Sequence, residues 1–138
     1  MSNHSYPNTW APRALAILRI VTGYCLMLHG TAKHLKIPRI EAFEKIDPLS
    51  MSGIAGWIEL IGGSLLIIGL FSRPVAFLLS GLMAFAYFLG HAFPQGSWLL
   101  PLINRGEAAV LFCFITLYIS AAGPGSWSLD GIRARRAR

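Results

Sequence analysis

Long apolar runs separated by short polar segments make up most of this 138-residue chain. Four runs, at about 14–34, 53–71, 75–93 and 106–122, come close to the roughly 20 residues that a helix needs to cross a hydrocarbon core. The alternating pattern of a membrane β-barrel is absent from runs such as 64–70, and open sheet edges cannot be left unpaired in lipid. The pattern therefore predicts an all-α fold, an integral membrane four-helix bundle.

The composition excludes the two main alternatives to a membrane bundle. Hydrophobic residues make up 54% of the chain and charged residues only 13%, against roughly 25% charged residues in an ordinary soluble domain. A soluble protein of this size has a large surface for its volume and needs more polar side chains to cover it. A disordered chain requires low hydrophobicity, which the mean hydropathy of +0.56 excludes.

The connections between the runs predict how the helices are joined. Only residues 72–74 separate the second run from the third, so these two runs must form an antiparallel hairpin. The longer first connection repeats apolar residues at roughly helical spacing, which predicts a short interfacial helix between the first and second spans: Ile40, Phe43 and Ile46. The chain thus divides into a polar N-terminal segment (1–13), the bundle (14–122) and a basic tail (123–138).

The positive charge of the chain lies where it favours lipid rather than nucleic acid. Twelve Lys and Arg residues against six Asp and Glu residues give a net charge of +6. Four arginines crowd the last six residues, directly after an apolar run: Arg133, Arg135, Arg136 and Arg138. Arginines beside a membrane span favour the cytoplasmic side and anionic lipid head groups. We therefore expect a lipid bilayer and no nucleic acid as partner, with both termini in the cytoplasm.

Ionisable side chains are predicted to converge in one half of the bundle. With about 1.5 Å of rise per residue, four of them lie roughly 5 to 12 Å from the middle of their helices: His29, Glu59, His91 and Glu107. Because successive helices reverse direction, all four residues lie in the half of the bundle that is away from the C-terminal tail. Lys33 lies one turn beyond His29 in the same half. Buried charges are costly unless they are paired or hydrated. We therefore predict a polar pocket between the helices, open toward the outer surface.

Each of these residues also has a structural interpretation, and the sequence leaves the choice open. Glu59 can form an ion pair with Lys33 or with Arg19, which falls in the other half of the bundle. His91 can anchor its helix at the membrane interface. Glu107 follows Asn104 by three positions, the spacing of a capping box at a helix N-terminus.

Small residues and cysteines complete the pattern. On the second run, Gly56 and Gly63 share one helical face with Glu59, which predicts close packing against another helix. Cys25 and Cys113 lie in separate runs, without the spacing of a zinc site or a dithiol motif, so we predict no metal site. Whether the two cysteines are neighbours is left open.

The order and spacing of several motifs are similar to those of a known family. They span about residues 13–132 in this order: Leu18-Arg19, His29-Gly30-xx-Lys33, Gly56-Trp57-x-Glu59-xx-Gly62-Gly63, Gly69-x-Phe71-x-Arg73-Pro74, His91, Gly106-Glu107 and Gly123-Pro124-Gly125-x-Trp127-Ser128-x-Asp130. On these motifs the chain resembles the DoxX family of small bacterial and archaeal membrane proteins. The resemblance implies four transmembrane helices and a location in the bacterial inner membrane.

The resemblance also implies redox chemistry at the membrane. The family takes its name from subunits of a quinone oxidoreductase that acts on reduced sulfur compounds, and some members are linked to thiol-redox homeostasis. The recurring polar positions of the family match six residues of this sequence: Arg19, His29, Lys33, Glu59, His91 and Glu107. The paired cysteine motif of members with thiol chemistry has no counterpart here.

Our leading hypothesis is a quinone-linked membrane oxidoreductase, or a subunit of one. We assign Glu59, His91 and Glu107 to catalysis as proton donors, and we assign a substrate-binding role to Arg19, His29 and Lys33. A quinone is the ligand that this hypothesis implies, and the electron donor is a partner redox protein or a soluble substrate. A homo-oligomer is left open. The alternative is a non-catalytic anchor, assembly component or small-molecule-binding component, and a transporter is the weakest candidate.

Overall fold

The computed structural model describes residues 9–137, which form five helices and no β-strand. The helices are α1 (Ala11–His34), α2 (Met51–Ile68), α3 (Ser72–Gln95), α4 (Glu107–Ala122) and α5 (Leu129–Arg136). The all-α prediction is confirmed. Residues 1–8 of the predicted polar N-terminal segment, and Arg138 of the tail, lie outside the described residues.

Helices α1, α2 and α3 are long and apolar enough to cross a membrane. Helix α4 is apolar but has 16 residues, which correspond to about 24 Å, less than the roughly 30 Å of a hydrocarbon core. Its outer surface is nevertheless apolar, since Leu111, Phe114 and Tyr118 are all more than half exposed. Helices that are apolar on all sides are typical of membrane proteins. The chain is therefore a helical membrane bundle.

Glycine contacts bring α1 and α2 close together. A Cβ atom on Gly23 would lie 2.7 Å from the carbonyl oxygen of Gly63, and one on Gly30 would lie 2.6 Å from that of Gly56. These distances leave no room for a side chain, so backbone packs against backbone, as in small-residue interfaces of other membrane helices. The predicted small face of α2 therefore packs on α1.

A common core joins the α1–α2 pair to α3 and α4. Leu26 of α1, Leu66 of α2, Leu79 of α3 and Ile119 of α4 are all completely buried in it. Each helix therefore contributes at least one large aliphatic side chain to the centre of the bundle. This core holds the four helices in fixed positions relative to one another.

The bundle has two ends with different polar groups. One end, here called the tail end, contains the α2–α3 turn (69–71), the start of α1 and the C-terminal segment (123–136). The other, here called the loop end, contains the two longer connections (35–50 and 96–106). The predicted interfacial helix is one 3-10 turn, Glu41–Phe43, whose last carbonyl oxygen accepts a hydrogen bond from Lys36 Nζ at 2.7 Å.

Helix α3 changes its winding near the loop end. It is α-helical from Ser72 to Phe85, π-helical from Ala86 to Ala92, and α-helical again to Gln95. A π-helical turn holds an additional residue and so redirects the side chains that follow, and such turns are frequent at functional sites. His91 lies in this π-helical segment.

Candidate functional site

A groove of about 900 Å³ lies between residues 51–59 of α2 and residues 77–91 of α3. This volume is within the roughly 300–1,000 Å³ of small-molecule sites. Most of the lining is apolar, and its outer edge faces away from the bundle, since Phe77 and Phe85 are 67% and 66% exposed. Three of the six predicted site residues line this groove: Lys33, Glu59 and His91.

A buried ion pair forms part of the groove wall. Lys33 Nζ donates to Glu59 Oε2 at 2.7 Å, and the two side chains are only 10% and 6% exposed. The ammonium nitrogen also lies 5.8 Å from the centre of the Phe43 ring. Of the two partners that the sequence left open for Glu59, the structure therefore selects Lys33. Pairing offsets the cost of removing both charges from water.

The orientation of His91 is determined by a hydrogen bond to the α3–α4 connection. His91 Nδ1 lies 3.1 Å from the carbonyl oxygen of Asn104. Because a carbonyl oxygen can only accept, Nδ1 carries the hydrogen, and Nε2 of the neutral ring keeps its lone pair. A protonated His91 would donate from Nε2 as well.

Asn104 is the residue of this site that sequence reasoning missed. It is completely buried, and its side-chain nitrogen donates to the Tyr87 hydroxyl at 3.2 Å and to the Ser97 carbonyl oxygen at 2.7 Å. Its Oδ1 accepts from the Gly106 amide at 2.8 Å. The capping box suggested by the spacing is not formed, because the N-cap of α4 is Gly106. A lone asparagine between two apolar runs was the available signal for such a buried network.

His29 and Glu107 lie outside the groove. His29 is exposed, and its ring centre lies 6.5 Å from that of Phe43 and 6.4 Å from that of Phe112. Phe43 therefore connects the surroundings of His29 with those of Lys33. Glu107 is the exposed first residue of α4, where the helix dipole favours a carboxylate.

Arg19 lies at the tail end, and the structure does not bring it to the groove. It is completely buried and donates only to backbone carbonyl oxygens. Its acceptors at the end of α2 are Leu66 and Ile67, the latter at 2.9 Å. Its acceptors in the C-terminal segment include Pro124 at 2.8 Å and Trp127 at 2.9 Å. This side chain ties three parts of the chain together.

Comparison with known proteins assigns the chain to a family. The DoxX family model matches residues 14–92, more than half of the chain. The chain belongs to the DoxX family. It is 41% identical over 132 residues to a protein of Haemophilus influenzae (strain ATCC 51907 / DSM 11121 / KW20 / Rd) described as an uncharacterized protein, and the match covers 88% of this chain and 91% of the relative. No solved structure matches.

Two further charged side chains hold the tail end of this DoxX-family protein together. Arg73, at the start of α3, donates to the carbonyl oxygens of Ser120 and Ala121 at the end of α4, at 3.0 and 2.5 Å. Asp130 of α5 accepts from the backbone amides of Phe71 and Ser72 at 2.9 and 2.8 Å. The motif at 123–130 thus binds the start of α3 through Asp130, while Arg19 binds the motif itself at Pro124 and Trp127.

The pKa of Asp130 follows from these contacts. Burial raises the pKa of this carboxyl group, but hydrogen bonds from Ser72 and from the Phe71 amide, together with the positive charge of Arg133, lower it by more. The net result is a pKa below the ordinary value for aspartate. Asp130 is therefore a carboxylate at neutral pH and remains one in mild acid.

Cys25 and Cys113 are free thiols in this DoxX-family protein. The Ser80 hydroxyl donates to the backbone carbonyl oxygen of Cys113 at 2.9 Å, which is a contact between α3 and α4. Within residues 9–137, no three His, Cys, Asp or Glu side chains come together as a group that can hold a metal ion.

Proposed function

We propose that this DoxX-family membrane protein is a quinone-linked oxidoreductase, or the quinone-binding subunit of one, and that the groove between α2 and α3 is its quinone site. The observation that carries the proposal is the combination of an apolar groove of about 900 Å³ with Lys33, Glu59 and His91 in its wall. A quinone requires both features, because its ring is apolar and its two carbonyl oxygens need hydrogen-bond donors. The volume is sufficient for a ring and part of a substituent.

The reaction converts the quinone to the quinol. The ring gains two electrons, and each of its two carbonyl oxygens gains a proton and becomes a hydroxyl group. We propose that the electrons come from a partner redox protein or a soluble reductant. Protonated His91 gives the proton on Nε2 to one quinone oxygen, and the second quinone oxygen takes its proton from the aqueous phase at the loop end. Neutral His91 then regains its proton from the same aqueous phase before the next turnover.

The other two groove residues bind and position the quinone. The Lys33 ammonium polarises a quinone carbonyl, while Glu59 holds that ammonium in place through the 2.7 Å contact. The Asn104 carbonyl holds His91 Nδ1, so that the transferable proton is the one on Nε2. Arg19 has no part in this proposal, because its guanidinium donates to backbone carbonyl oxygens at the tail end.

The proposed topology has four spans and both termini in the cytoplasm of a bacterial cell. The start of α1 and the C-terminal segment lie together, since the Ser126 amide donates to the Pro12 carbonyl oxygen at 3.0 Å. Six arginines of the described chain belong to this end, with Asp130 as its one acidic residue among residues 9–137. The loop end carries five Lys or Arg residues against these six, and this excess supports a cytoplasmic tail end. His91 then lies toward the opposite membrane surface.

The experiment that tests this function is quinone binding to the purified protein in lipid nanodiscs. Dimethoxy-methyl-benzoquinone retained per protein is measured after gel filtration, with empty nanodiscs subtracted. His91→Phe, and the double variant Lys33→Met with Glu59→Leu, should each weaken binding by about tenfold or more, since a hydrogen bond to a charged group contributes roughly 1.5–3 kcal/mol. Lys45→Met, at an exposed lysine outside the groove, is the matched control and should bind like the parent. Retention by the parent no greater than in empty nanodiscs would overturn the proposal.

A non-catalytic binding component is the second candidate function. The observation that favours it is that Lys33 and Glu59 satisfy each other without any ligand. The same preparation distinguishes the two functions when a soluble reductant is added and quinol formation is followed by ultraviolet absorbance. Binding with no acceleration over empty nanodiscs supports the non-catalytic candidate, whereas acceleration that is lost in His91→Phe supports the oxidoreductase.

A further inference from the structure

The connection between α3 and α4 carries a dense group of exposed apolar side chains. Leu99 is 91% exposed, and four of its neighbours are also more than half exposed: Trp98, Leu100, Leu102 and Ile103. The sequence from 96 to 104 contains no charged residue, whereas the other connection at the loop end, 35–50, contains six. A contiguous exposed apolar patch marks contact with another apolar surface or with a membrane.

The lengths of α3 and α4 place this connection at the boundary of the hydrocarbon core. At the tail end the two helices are level, because Arg73 near the start of α3 donates to the carbonyl oxygen of Ser120 near the end of α4 at 3.0 Å. Toward the loop end, α3 has 24 residues and α4 only 16. Helix α4 therefore spans about 24 Å, roughly 6 Å less than a hydrocarbon core. The connection has to cover the missing depth.

Hydrogen bonds satisfy backbone carbonyl groups of the connection without water. The Tyr87 hydroxyl donates to the carbonyl oxygen of Trp98 at 2.6 Å. Asn104 Nδ2 donates to the carbonyl oxygen of Ser97 at 2.7 Å, and the Asn104 amide donates to that of Leu100 at 3.1 Å. Non-helical backbone is tolerated at membrane depth where the protein itself supplies such partners. The connection meets this requirement at its most apolar stretch.

We infer that the α3–α4 connection is inserted into the membrane leaflet at the loop end, where its exposed apolar side chains contact acyl chains. Trp98 then lies near the interface, where tryptophan is enriched in membrane proteins. Arg105 and Glu107 follow the apolar stretch and are exposed, and long charged side chains this close to the boundary extend to the head groups. The insertion rests on α3 and α4 both crossing the membrane and does not depend on what the groove binds.

Collisions of nitroxide spin labels with oxygen and with a nickel chelate measure this insertion, because oxygen enters hydrocarbon and the polar chelate stays in water. The labels are attached to single cysteines in protein whose two free thiols, Cys25 and Cys113, are replaced by alanine. Leu99→Cys and Leu102→Cys place a label in the connection. All variants are studied in nanodiscs, and circular dichroism and gel filtration report the fold and the oligomeric state of each.

Two further labelled sites provide the references. Leu49→Cys is the matched aqueous control, because Leu49 is an 83% exposed leucine in the charged connection 35–50. Phe114→Cys is the hydrocarbon reference, on the exposed surface of α4. The ratio of oxygen to chelate collisions at Leu99 and Leu102 should exceed the ratio at Leu49 by about tenfold and approach the ratio at Phe114, since hydrocarbon excludes the chelate.

Two results would overturn the insertion. A collision ratio at both Leu99 and Leu102 within about twofold of that at Leu49 would place the connection in water. Few collisions with either reagent at these two sites would mean that a protein surface covers the patch instead of lipid. Dipolar broadening between labels would then identify that surface as a second copy of the chain.

The Tyr87 hydroxyl provides a second test, of the reason why the connection tolerates the membrane. Tyr87→Phe removes the donor to the Trp98 carbonyl oxygen, so the ratio at Leu99 should fall by about twofold or more toward the aqueous value. Tyr118→Phe, at an exposed tyrosine of α4, is the matched control and should leave the ratio unchanged. An unchanged ratio in Tyr87→Phe would overturn the role given to this hydrogen bond.

Discussion

The Lys33–Glu59 pair provides the sharpest prediction, because its contributions to stability and to binding can be separated. At 2.7 Å, an effective dielectric constant of about 20 gives a Coulomb attraction of about 6 kcal/mol. Desolvation of each ion costs several kcal/mol, so the net contribution of the pair relative to two apolar residues is close to zero. Removal of one partner leaves the other charge buried without compensation. Lys33→Met and Glu59→Leu should therefore each lower the free energy of unfolding by about 3–5 kcal/mol.

The double variant should recover most of this loss. Methionine and leucine pack against each other without a desolvation penalty, so we expect stability within about 1 kcal/mol of the parent and a coupling energy of several kcal/mol. The assay is unfolding of the nanodisc or detergent-solubilised protein by titrated sodium dodecyl sulfate, followed by circular dichroism for all four proteins of the cycle. The reasoning would be refuted if each single variant lowered the free energy of unfolding by less than about 1 kcal/mol and the two losses added up in the double variant. Such a result would mean that the charges are hydrated rather than buried. A stable double variant that still binds quinone like the parent would restrict the pair to a structural role.

Three other predictions follow from the tail end and from the helix contacts. Because the pKa of Asp130 is lowered in the folded protein, its contribution to stability is complete above the unfolded-state value of about 3.9 and is lost as the pH falls through the lower folded-state pKa. The amide groups of residues 123–130 should thus lose their protection from hydrogen exchange only below about pH 4 in the parent, and should already be unprotected at pH 7 in Asp130→Asn. Gly63→Leu should prevent α1 from packing on α2, because its Cβ would lie 2.5 Å from the carbonyl oxygen of Gly23; loss of monodisperse protein on gel filtration checks this, with exposed Ala121→Leu as the control. Substitution of the three arginines of α5 by glutamine should reduce the protection of the C-terminal segment from chymotrypsin, which cleaves after Trp127, by vesicles rich in phosphatidylglycerol relative to phosphatidylcholine vesicles, since each cationic side chain near an anionic surface contributes about 1 kcal/mol: Arg133, Arg135 and Arg136.

The sequence located the helices well because apolar runs and helix ends are local signals. The first predicted span, at about 14–34, ends at the same residue as α1, and the fourth, at about 106–122, differs from α4 by one residue. The second predicted span extended to about residue 71, whereas α2 ends at Ile68, because Gly69 adopts a left-handed conformation. The π-helical segment could not be predicted, since nothing in the residues 86–92 distinguishes it from an ordinary apolar helix.

The partners of the charged residues were beyond the sequence. Glu59 had two candidate cations, and only the packing of α1 on α2 through glycines places Lys33 Nζ at 2.7 Å from its carboxylate. Backbone carbonyl oxygens occur at every position of a chain, so the role of Arg19 as a donor to helix ends has no sequence signature. The same reason applies to His91, whose acceptor is a carbonyl oxygen of the returning connection.

The sequence by itself thus determined the class of the fold and the end of the bundle at which most polar side chains lie. Both follow from hydropathy and from the reversal of direction between successive helices. Only the tertiary structure decided which of these side chains share a groove, because that depends on the rotation of each helix about its own axis. Close backbone contacts at glycines and a few hydrogen bonds of charged side chains between distant segments set this rotation. As a result Lys33, Glu59 and His91 line the same groove, whereas His29 and Glu107 lie on other faces.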